Sequence, residues 1–387
     1  MKTICQCVLV LVTAGTLTGN AAAQSDLQKA FVKYPDRPAP YLRRLHAKPP
    51  NGMKGTLSFR RDFPGGFAAW QDAARKELHL LLGLNRIREA TQAHNSTVQL
   101  GHVTAEDGYT RQRADIQTEP NVTIPFWLLR PVGQASQPRP LAICAHGHDS
   151  DGWNSYAGVY KDEAHRDKTL ARDGDPGVQA VRRGFVVLVP ATRGLAEATH
   201  IPDLKRRHGD RPCRAQLIHC LLAGRTAVGE RVWDVQRLLD WALVELKDID
   251  RQRVVLLGNS GGGVLTVYAA ALDERITVAV PSCSFSSFTS ESGFIFHCDC
   301  CLVPSAQVKL GDMTDIGGLT APRPLLAVHG HKDGLHSYPD VERAMARVRS
   351  IYQSAGAPDR FRHEWGAEGH KFYPAIMWPF IEAALGL

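Results

Sequence analysis

The apolar residues of this chain form short uninterrupted runs, separated by stretches in which apolar residues recur at helical spacing. Such a run is typical of a strand that is buried on both faces of a parallel sheet. The runs cover residues 141–145, 185–189, 254–257, 277–280 and 325–328, and helical spacing marks 232–246, 264–272 and 340–352. This alternation predicts an α/β protein with a mostly parallel, doubly wound sheet flanked by helices.

A different pattern precedes these runs and predicts an N-terminal extension. Residues 24–64 are polar and proline-rich, and residues 67–82 have the apolar spacing of an amphipathic helix. Strand-like segments follow at 98–100, 109–116 and 122–129 and predict an antiparallel lead-in to the sheet. Pro125 donates no ladder hydrogen bond, so we place it near a sheet edge or near the start of its strand.

The first 23 residues have the pattern of a cleavable secretory signal. Lys2 supplies a positive end, residues 4–17 are mostly apolar, and Ala23 completes a short alanine run before the cleavage point. The apolar segment is too short and too broken for a membrane span, so we expect a secreted or periplasmic protein. The predicted organisation is a signal peptide at 1–23, an arm and helix at 24–97, and a main domain at 98–387 with an insertion at 281–324.

Charge and cysteine content narrow the classes of partner. A formal net charge of +7 is mild for 387 residues, and the basic residues are scattered, so we expect no nucleic-acid or membrane partner. Two of the nine cysteines precede the cleavage point, which leaves an odd number and at least one free thiol. Cys144 lies in an apolar run and is expected to be buried. Pairing of Cys213 with Cys220, or with a cysteine in 298–301, stays open, as does the oligomeric state.

The sequence 258–262 reads Gly-Asn-Ser-Gly-Gly between a buried strand and a helix. This is the G-x-S-x-G pattern of a nucleophile elbow, in which the chain turns sharply and presents the serine hydroxyl. Glycine is required on both sides because a side chain at Gly258 or Gly262 would collide with the turning backbone. Ser260 is therefore the candidate nucleophile.

Two further candidates directly follow predicted strands, as catalytic groups do in such sheets. Asp333 follows the run 325–328, and His370 follows a probable strand at 361–365. The order Ser260, Asp333, His370 is the one expected for α/β-hydrolases, with His370 as general base and Asp333 orienting it. Weaker candidates are Asp312, Asp315 and Asp340 for the acid and His363 for the base.

An oxyanion hole would complete this set with two backbone N–H groups. One is expected from Gly261, directly after the nucleophile, and the other from His148 in the loop that follows the run 141–145. The mechanism calls for no cofactor and no metal. Substrate-binding residues are not assigned; the aromatic candidates for stacking on a sugar are Trp153, Trp365 and Tyr373.

Over residues 65–385 the chain resembles the α/β-hydrolase superfamily, and within it the acetyl xylan esterase and dienelactone-hydrolase-like branch of secreted bacterial esterases. The motifs that carry the resemblance are His146-Gly147, Arg193-Gly194, Arg225-Thr226, Arg231 to Asp234, Gly258 to Gly263, His297-Cys-Asp-Cys300, Asp312-Met313, Ala321 to Pro324 and Glu368-Gly-His370. The resemblance implies an α/β-hydrolase fold, the triad Ser260, Asp333 and His370, and esterified plant polysaccharide such as acetylated xylan as substrate. The chain departs from the dienelactone-hydrolase pattern in having serine in the elbow, and it carries an additional Cys301.

Three other classes of function compete with a serine esterase: a peptidase, a metal-dependent hydrolase and a binding protein. A prolyl-oligopeptidase-like peptidase would need a large accessory domain, and too few residues precede the first core strand to build one. A catalytic metal could use the residues His146, His148, His329, His331, His336, Asp149 and Asp151. Zinc held by His297 with the cysteines of 298–301 is a further alternative, although export favours oxidised sulfur. A hydrolase fold kept only for binding would be expected to lack a triad member.

Overall fold

The computed structural model describes residues 38–46, 56–199, 201, 211–290 and 295–387. The predicted signal peptide at 1–23 lies outside the described residues, as does most of the predicted arm. A nine-stranded sheet forms the centre of the described part. Its strands are β1 (Thr97–Ala105), β2 (Tyr109–Glu119), β3 (Val122–Pro131), β4 (Arg139–Ala145), β5 (Val186–Pro190), β6 (Ile249–Asn259), β7 (Val278–Ser282), β8 (Leu325–Gly330) and β9 (Phe361–Gly366).

The sheet is mixed, as the sequence predicts. Strands follow the order β1-β2-β3-β5-β4-β6-β7-β8-β9. The lead-in strands β1, β2 and β3 pair antiparallel, and β3 pairs antiparallel with β5. All pairs from β5 through β4 to β9 are parallel, so the carboxyl ends of these strands meet at one edge. The predicted α/β-hydrolase fold is confirmed.

Helices cover both faces of the sheet and bury the two sides of each strand. They are α1 (Pro38–Leu45), α2 (Gly66–Leu81), α3 (Leu84–Ala90), α4 (Gly152–Tyr156), α5 (Glu163–Leu170), α6 (Pro176–Arg182), α7 (Pro212–Leu222), α8 (Ala227–Glu245), α9 (Gly261–Leu272), α10 (Ala306–Leu310), α11 (Met313–Gly318), α12 (Tyr338–Ser354) and α13 (Pro374–Leu385). In β6, Val254 and Leu256 join the core under α2, α8, α9 and α12, whereas Val255 and Leu257 join the core under α4, α6 and α13. Since burying one such side chain is worth about 1.5–3 kcal/mol, the uninterrupted apolar runs fix the central strands. No helix in the described ranges combines the length and apolarity that a membrane span requires.

Pro125 lies near the start of its strand, which is one of the two predicted positions, and not at a sheet edge. Its strand β3 is an interior strand, with β2 on one side and β5 on the other. The Pro125 carbonyl accepts a hydrogen bond from the Ala191 N–H at 2.9 Å. In an antiparallel ladder the nitrogen and carbonyl of one residue face the same neighbour, so the missing N–H faces the point where β5 ends, after Pro190.

The amphipathic helix predicted at 67–82 is α2, and it packs on the chain's own sheet. Trp70 and Leu78 are fully buried in the core beneath it. Trp70 Nε1 donates a hydrogen bond to the Leu57 carbonyl at 2.7 Å. Arg75 donates to the carbonyls of Ala271 and Leu319, which ties the helix to α9 and to the region after α11.

Candidate active site

The turn between β6 and α9 has the geometry of a nucleophile elbow. Ser260 lies between the two elements with φ 57° and ψ −124°, a conformation that costs a non-glycine residue roughly 1–3 kcal/mol. Its N–H donates to the Ser282 carbonyl at 2.9 Å, and its carbonyl accepts from the Val264 N–H at 3.0 Å. Hydrogen bonds to β7 and to the first turn of α9 therefore stabilise the strained backbone conformation of Ser260.

Close backbone contacts explain the glycines beside the serine. A Cβ placed on Gly258 would lie 2.4 Å from the backbone of Gly262, and one placed on Gly262 would lie 2.0 Å from the Ala145 carbonyl oxygen. A third glycine, Gly147, packs against the elbow from β4, where a Cβ would lie 2.9 Å from that of Ser260. The elbow and the loop after β4 thus fit together only without side chains at these positions.

Asp333 and His370 meet in one hydrogen-bonded pair. His370 Nδ1 and Asp333 Oδ2 are 2.8 Å apart, and the second carboxylate oxygen accepts from the Leu335 N–H at 3.0 Å. Burial raises the pKa of Asp333, but the hydrogen bond and charge of His370 outweigh it and hold the pKa below its usual value. The carboxylate is therefore ionised at neutral pH and fixes the orientation of the imidazole.

Hydrogen bonds between neighbouring loops bring this pair to Ser260. After β8 and β9, His331 donates to the Gly366 carbonyl and Lys332 donates to the Glu368 carbonyl, at 2.8 and 2.9 Å. Ser282 Oγ at the end of β7 donates to the Lys371 carbonyl at 3.1 Å, next to His370. In the part of the chain that the structure describes, no hydrogen bond joins Ser260 Oγ to His370, and both residues line the same two pockets.

The loop after β4 is held by His146. Its Nε2 accepts from the Thr192 N–H at 2.9 Å, and its Nδ1 lies 2.9 Å from the Gly147 carbonyl. Complete burial lowers the pKa of His146 to about 4, so the ring is neutral. Its hydrogen bond with Thr192 connects the loop after β4 to the segment after β5. Among the described residues, the His148 N–H has no hydrogen-bond acceptor, which leaves it available beside Ser260.

The competing candidates have other partners. Asp312 caps α11, Asp315 accepts hydrogen bonds from Phe59 and Arg347, and Asp340 lies in the first turn of α12. His363 packs against His329, with 3.2 Å between Nε2 and Nδ1.

The residues proposed for a catalytic metal are also scattered. His329 pairs with His363, and the exposed His331 stacks on Trp365. The only clusters of metal-ligating groups found in the described ranges are His148 with Cys213, Cys298 and Cys300, and Cys283 with Asp333 and His370. The seven cysteines in the described part of the chain have free thiols, and Cys144 is buried as predicted.

Two pockets open on either side of Ser260. The larger, of about 800 Å³, carries the sulfur-containing and imidazole side chains Cys213, Cys283, Cys298, Cys301, His297 and His336. The smaller, of about 540 Å³, carries the basic side chains His165, Lys168, Arg172 and Lys371 together with Asp149. Neither pocket is lined by the stacking candidates Trp153, Trp365 and Tyr373.

Two features of these pockets are not apparent from the sequence. Both ring nitrogens of the buried His336 lack partners among the described residues, and burial lowers its pKa to about 3. The ring is therefore neutral, and both of its nitrogens are shielded from solvent. In the smaller pocket, Lys168 and Arg172 form no ion pair with any described carboxylate. Single charged residues on or just after a short helix such as α5 carry no sequence signal that would distinguish them from a solvated surface.

The motif arginines form a buried scaffold behind the larger pocket. Arg193 pairs with Glu119 at 2.6 Å and with Asp234 at 2.9 Å. Arg225 reaches the other oxygen of Glu119 at 2.7 Å. These contacts join β2, the segment after β5 and α8, so this part of the shared motif supports the site without entering it.

The sheet topology and the elbow define an α/β-hydrolase fold, and comparisons with known proteins agree with it. Residues 178–290 match the family model described as acetyl xylan esterase (AXE1). A Bacillus subtilis (strain 168) protein named "Putative hydrolase YtaP" is 30% identical over 173 residues, which make up 42% of this chain and 56% of that protein. The chain therefore spans about half the length of this curated relative. The resemblance to the acetyl xylan esterase branch is confirmed, and the matches support a carboxylic ester hydrolase.

Solved structures share the fold at low sequence identity. Methylesterase BT1017 superimposes with a TM-score of 0.64 at 22% identity, over 90% of this chain and 68% of that one. A putative acetyl xylan esterase (BF1801) from Bacteroides fragilis NCTC 9343 gives 0.62 at 19% identity, over 88% and 83% of the two chains. A glucuronoyl esterase from Solibacter usitatus gives 0.58 at 16% identity, over 87% and 98%.

Proposed function

We propose that this chain is a serine carboxylic-ester hydrolase with Ser260, Asp333 and His370 as its catalytic triad. The observation that carries the proposal is the meeting of a strained serine with an Asp–His pair at one edge of a parallel sheet. Each group follows a different strand, and the serine and histidine line the same pockets. This arrangement supplies nucleophile, base and orienting acid in one place.

The reaction proceeds through an acyl-enzyme. Ser260 Oγ attacks the ester carbonyl while His370 Nε2 takes the hydroxyl proton, and ionised Asp333 stabilises the resulting imidazolium. Collapse of the tetrahedral intermediate breaks the bond to the alkoxy oxygen, which receives the proton from His370. Water then attacks the acyl carbon in the same way, releases the acid and restores Ser260.

Backbone N–H groups stabilise the oxyanion of both intermediates. Gly261 is the first residue of α9, where an N–H has no helical acceptor, and the adjacent His148 N–H has no acceptor among the described residues. Removing one such donor typically costs about 10²–10³-fold in turnover.

An acetylated plant polysaccharide such as xylan is the substrate class we propose. The family match and the name of the B. fragilis structure point to this chemistry. The larger pocket, of about 800 Å³, leaves room for a sugar beside Ser260 and His370. The predicted signal peptide supports action outside the cytoplasm.

A second candidate substrate is an ester of a uronic acid polymer. Lys168 and Arg172 border the smaller pocket without carboxylate partners, so they favour an anionic sugar beside the scissile ester. Two of the structural relatives are named as a methylesterase and a glucuronoyl esterase.

Product release from a set of substrates tests these proposals. Acetate from acetylated xylan, methanol from methyl-esterified polygalacturonate, and hydrolysis of 4-nitrophenyl acetate and butyrate are compared for wild type, Ser260→Ala and Ser286→Ala. We expect loss of activity by more than about 10⁴-fold in Ser260→Ala, whereas Ser286→Ala, which removes a buried hydroxyl away from the pocket lining, stays active. Ester hydrolysis that persists in Ser260→Ala contradicts the proposal, and cleavage of a peptide without any ester would favour a peptidase.

The same assay separates the two substrate classes. The double variant Lys168→Gln, Arg172→Gln should raise KM for the acidic polymer more than for acetylated xylan if uronic esters are the substrate. Equal values of KM before and after substitution, with a preference for acetylated xylan, would reject the second candidate.

A further inference from the structure

A compact group of three thiols and one imidazole lies beside the nucleophile, outside the catalytic pair. It consists of His148 from the loop after β4, Cys213 from the first turn of α7, and Cys298 and Cys300 around the 3₁₀ helix Asp299–Cys301. One ligand atom from each of these side chains lies within 4.8 Å of all the others. The four residues come from three distant parts of the sequence, so only the fold assembles them.

Two distances within this group suit a tetrahedral zinc site. With Zn–S near 2.3 Å, two sulfur ligands at the tetrahedral angle lie about 3.8 Å apart. Cys300 Sγ and Cys298 Sγ are 3.8 Å apart, and His148 Nε2 lies 3.2 Å from Cys300 Sγ. A disulfide needs about 2.05 Å between sulfurs, so the spacing fits shared ligation better than a covalent bond.

A buried arginine supplies the charge that such a site needs. Three thiolates, one neutral imidazole and Zn²⁺ carry a net charge of −1. Arg231 is 1% exposed, and its Nη1 lies 3.4 Å from Cys300 Sγ. Its remaining partners are the Arg193 and Cys300 carbonyls and the Gln216 side-chain oxygen, and no described carboxylate pairs with it.

The buried positive charge of Arg231 favours thiolates over a disulfide in this cluster. A buried guanidinium without an anion is strongly unfavourable. A disulfide through Cys300 would leave Arg231 in that state, whereas a zinc-bound thiolate balances it. The Asp299 carboxylate adds a second anion, since its Oδ1 lies 3.1 Å from Cys298 Sγ, and Arg214 offsets its charge by pairing with Oδ2 at 2.5 Å.

We propose that His148, Cys213, Cys298 and Cys300 bind one structural Zn²⁺ ion beside the active site. Soft thiolates with one imidazole in tetrahedral spacing select zinc among the common divalent ions. All four positions are taken by side chains, so the ion cross-links the chain and activates no water. This differs from the sequence-based alternative, because His148 takes the place given there to His297, whose Nε2 lies 3.2 Å from the Ser287 carbonyl.

The site holds the backbone that is proposed to form the oxyanion hole. His148 Nδ1 lies 2.8 Å from the position of a Cβ on Gly261, so the ring packs directly over the elbow. Ligation through Nε2 would fix the His148 N–H against Gly261 by tying it to α7 and to the 281–324 insertion. This consequence rests on the proposed esterase function; the metal site itself does not.

Metal content of the full chain tests the site independently of activity. Wild type, Cys213→Ser and Cys220→Ser are purified without added metal or chelator and analysed by mass spectrometry for zinc and for free thiols. We expect about one zinc ion per chain in wild type and in Cys220→Ser, whose thiol lies on α7 outside the cluster, and a loss of at least tenfold in Cys213→Ser.

Cobalt replacement in wild type covers the case in which Cys213→Ser does not fold. Zinc is removed and Co²⁺ added, and we expect the visible bands of tetrahedral cobalt together with thiolate charge-transfer absorption. Absence of zinc in wild type, a mapped disulfide among Cys213, Cys298 and Cys300, or equal zinc loss in both variants would overturn the proposal. Octahedral cobalt spectra would overturn it as well.

Discussion

Two groups of polar side chains flank Ser260, and they are held in place by different means. Asp333 and His370 follow adjacent strands, and backbone hydrogen bonds between the loops after β8 and β9 fix their distance at 2.8 Å. His148 and its cysteine neighbours come from a loop, a helix end and an insertion, and no strand pairing within the described ranges joins these segments.

The sheet thus fixes one side of the site, whereas the other side lacks such a support unless the proposed zinc ion supplies it. On the Asp–His side the sheet itself sets the geometry that turnover requires. On the other side, the His148 N–H belongs to a loop whose neighbours have no shared secondary structure. A metal ion bound by three segments there would fix their positions, as the sheet fixes the positions of Asp333 and His370.

The largest effect is expected from breaking the sheet-held side. Asp333→Asn keeps the shape of the side chain but removes the charge that stabilises the His370 imidazolium. We expect kcat on 4-nitrophenyl acetate to fall by roughly 10⁴-fold, with the folded structure intact by circular dichroism.

A matched control is Asp340→Asn in the first turn of α12. It removes a hydrogen-bonding carboxylate of the same type from a helix start, so turnover should stay within a few-fold of wild type. Near-wild-type activity in Asp333→Asn, or equal losses in both variants, would place the catalytic acid elsewhere.

A smaller effect is expected from loosening the cross-linked side. Cys213→Ser should lower kcat by roughly 10–100-fold through the loop that carries His148, with little change in KM for 4-nitrophenyl acetate. Cys220→Ser should retain wild-type kcat. A Cys213→Ser enzyme that has lost zinc and keeps full kcat would separate the metal site from the oxyanion hole.

The smallest effect concerns pH and two buried histidines beside the triad. Burial lowers the pKa of His336 to about 3 and that of His329 well below its usual value. The unfolded chain binds these protons near pH 6.5 and the folded chain does not, so folding stability falls as pH drops below about 6.5. From pH 7 to 5, His336 alone should cost about 2 kcal/mol in the free energy of unfolding.

Urea denaturation at pH 7 and pH 5 measures this dependence. His336→Asn should lose less stability between the two values than wild type does, while replacing the exposed His331 by Asn should leave the wild-type dependence in place. A His336→Asn protein with the full wild-type loss would show that another group takes up the proton.

The sequence predicts the sheet-held side well because each group follows its strand directly. Val254 and its apolar neighbours mark a strand buried on both faces, and the glycines around Ser260 have a steric reason that is local in sequence. The same logic places Asp333 and His370 at the sheet edge. For Pro125 the prediction of a strand start holds and that of a sheet edge does not, because the missing N–H faces the point where β5 ends.

The cross-linked side depends on contacts that no local pattern contains. His297 is next to Cys298 in sequence and was the natural ligand to propose, yet its ring is turned to the Ser287 carbonyl. His148 reaches the cysteines only because the loop after β4 and the insertion meet over the elbow. Arg231, buried beside Cys300, likewise shows its role only in the folded chain.

Covalent labelling shows most directly whether Ser260 is an activated nucleophile. The full chain is treated with a fluorophosphonate ester, and the adduct is located by intact-protein and peptide mass spectrometry. We predict one adduct per chain on Ser260, formed in parallel with loss of esterase activity and absent from Ser260→Ala. Full inactivation with the adduct on another residue, or ester hydrolysis that continues without any adduct on Ser260, would contradict the account.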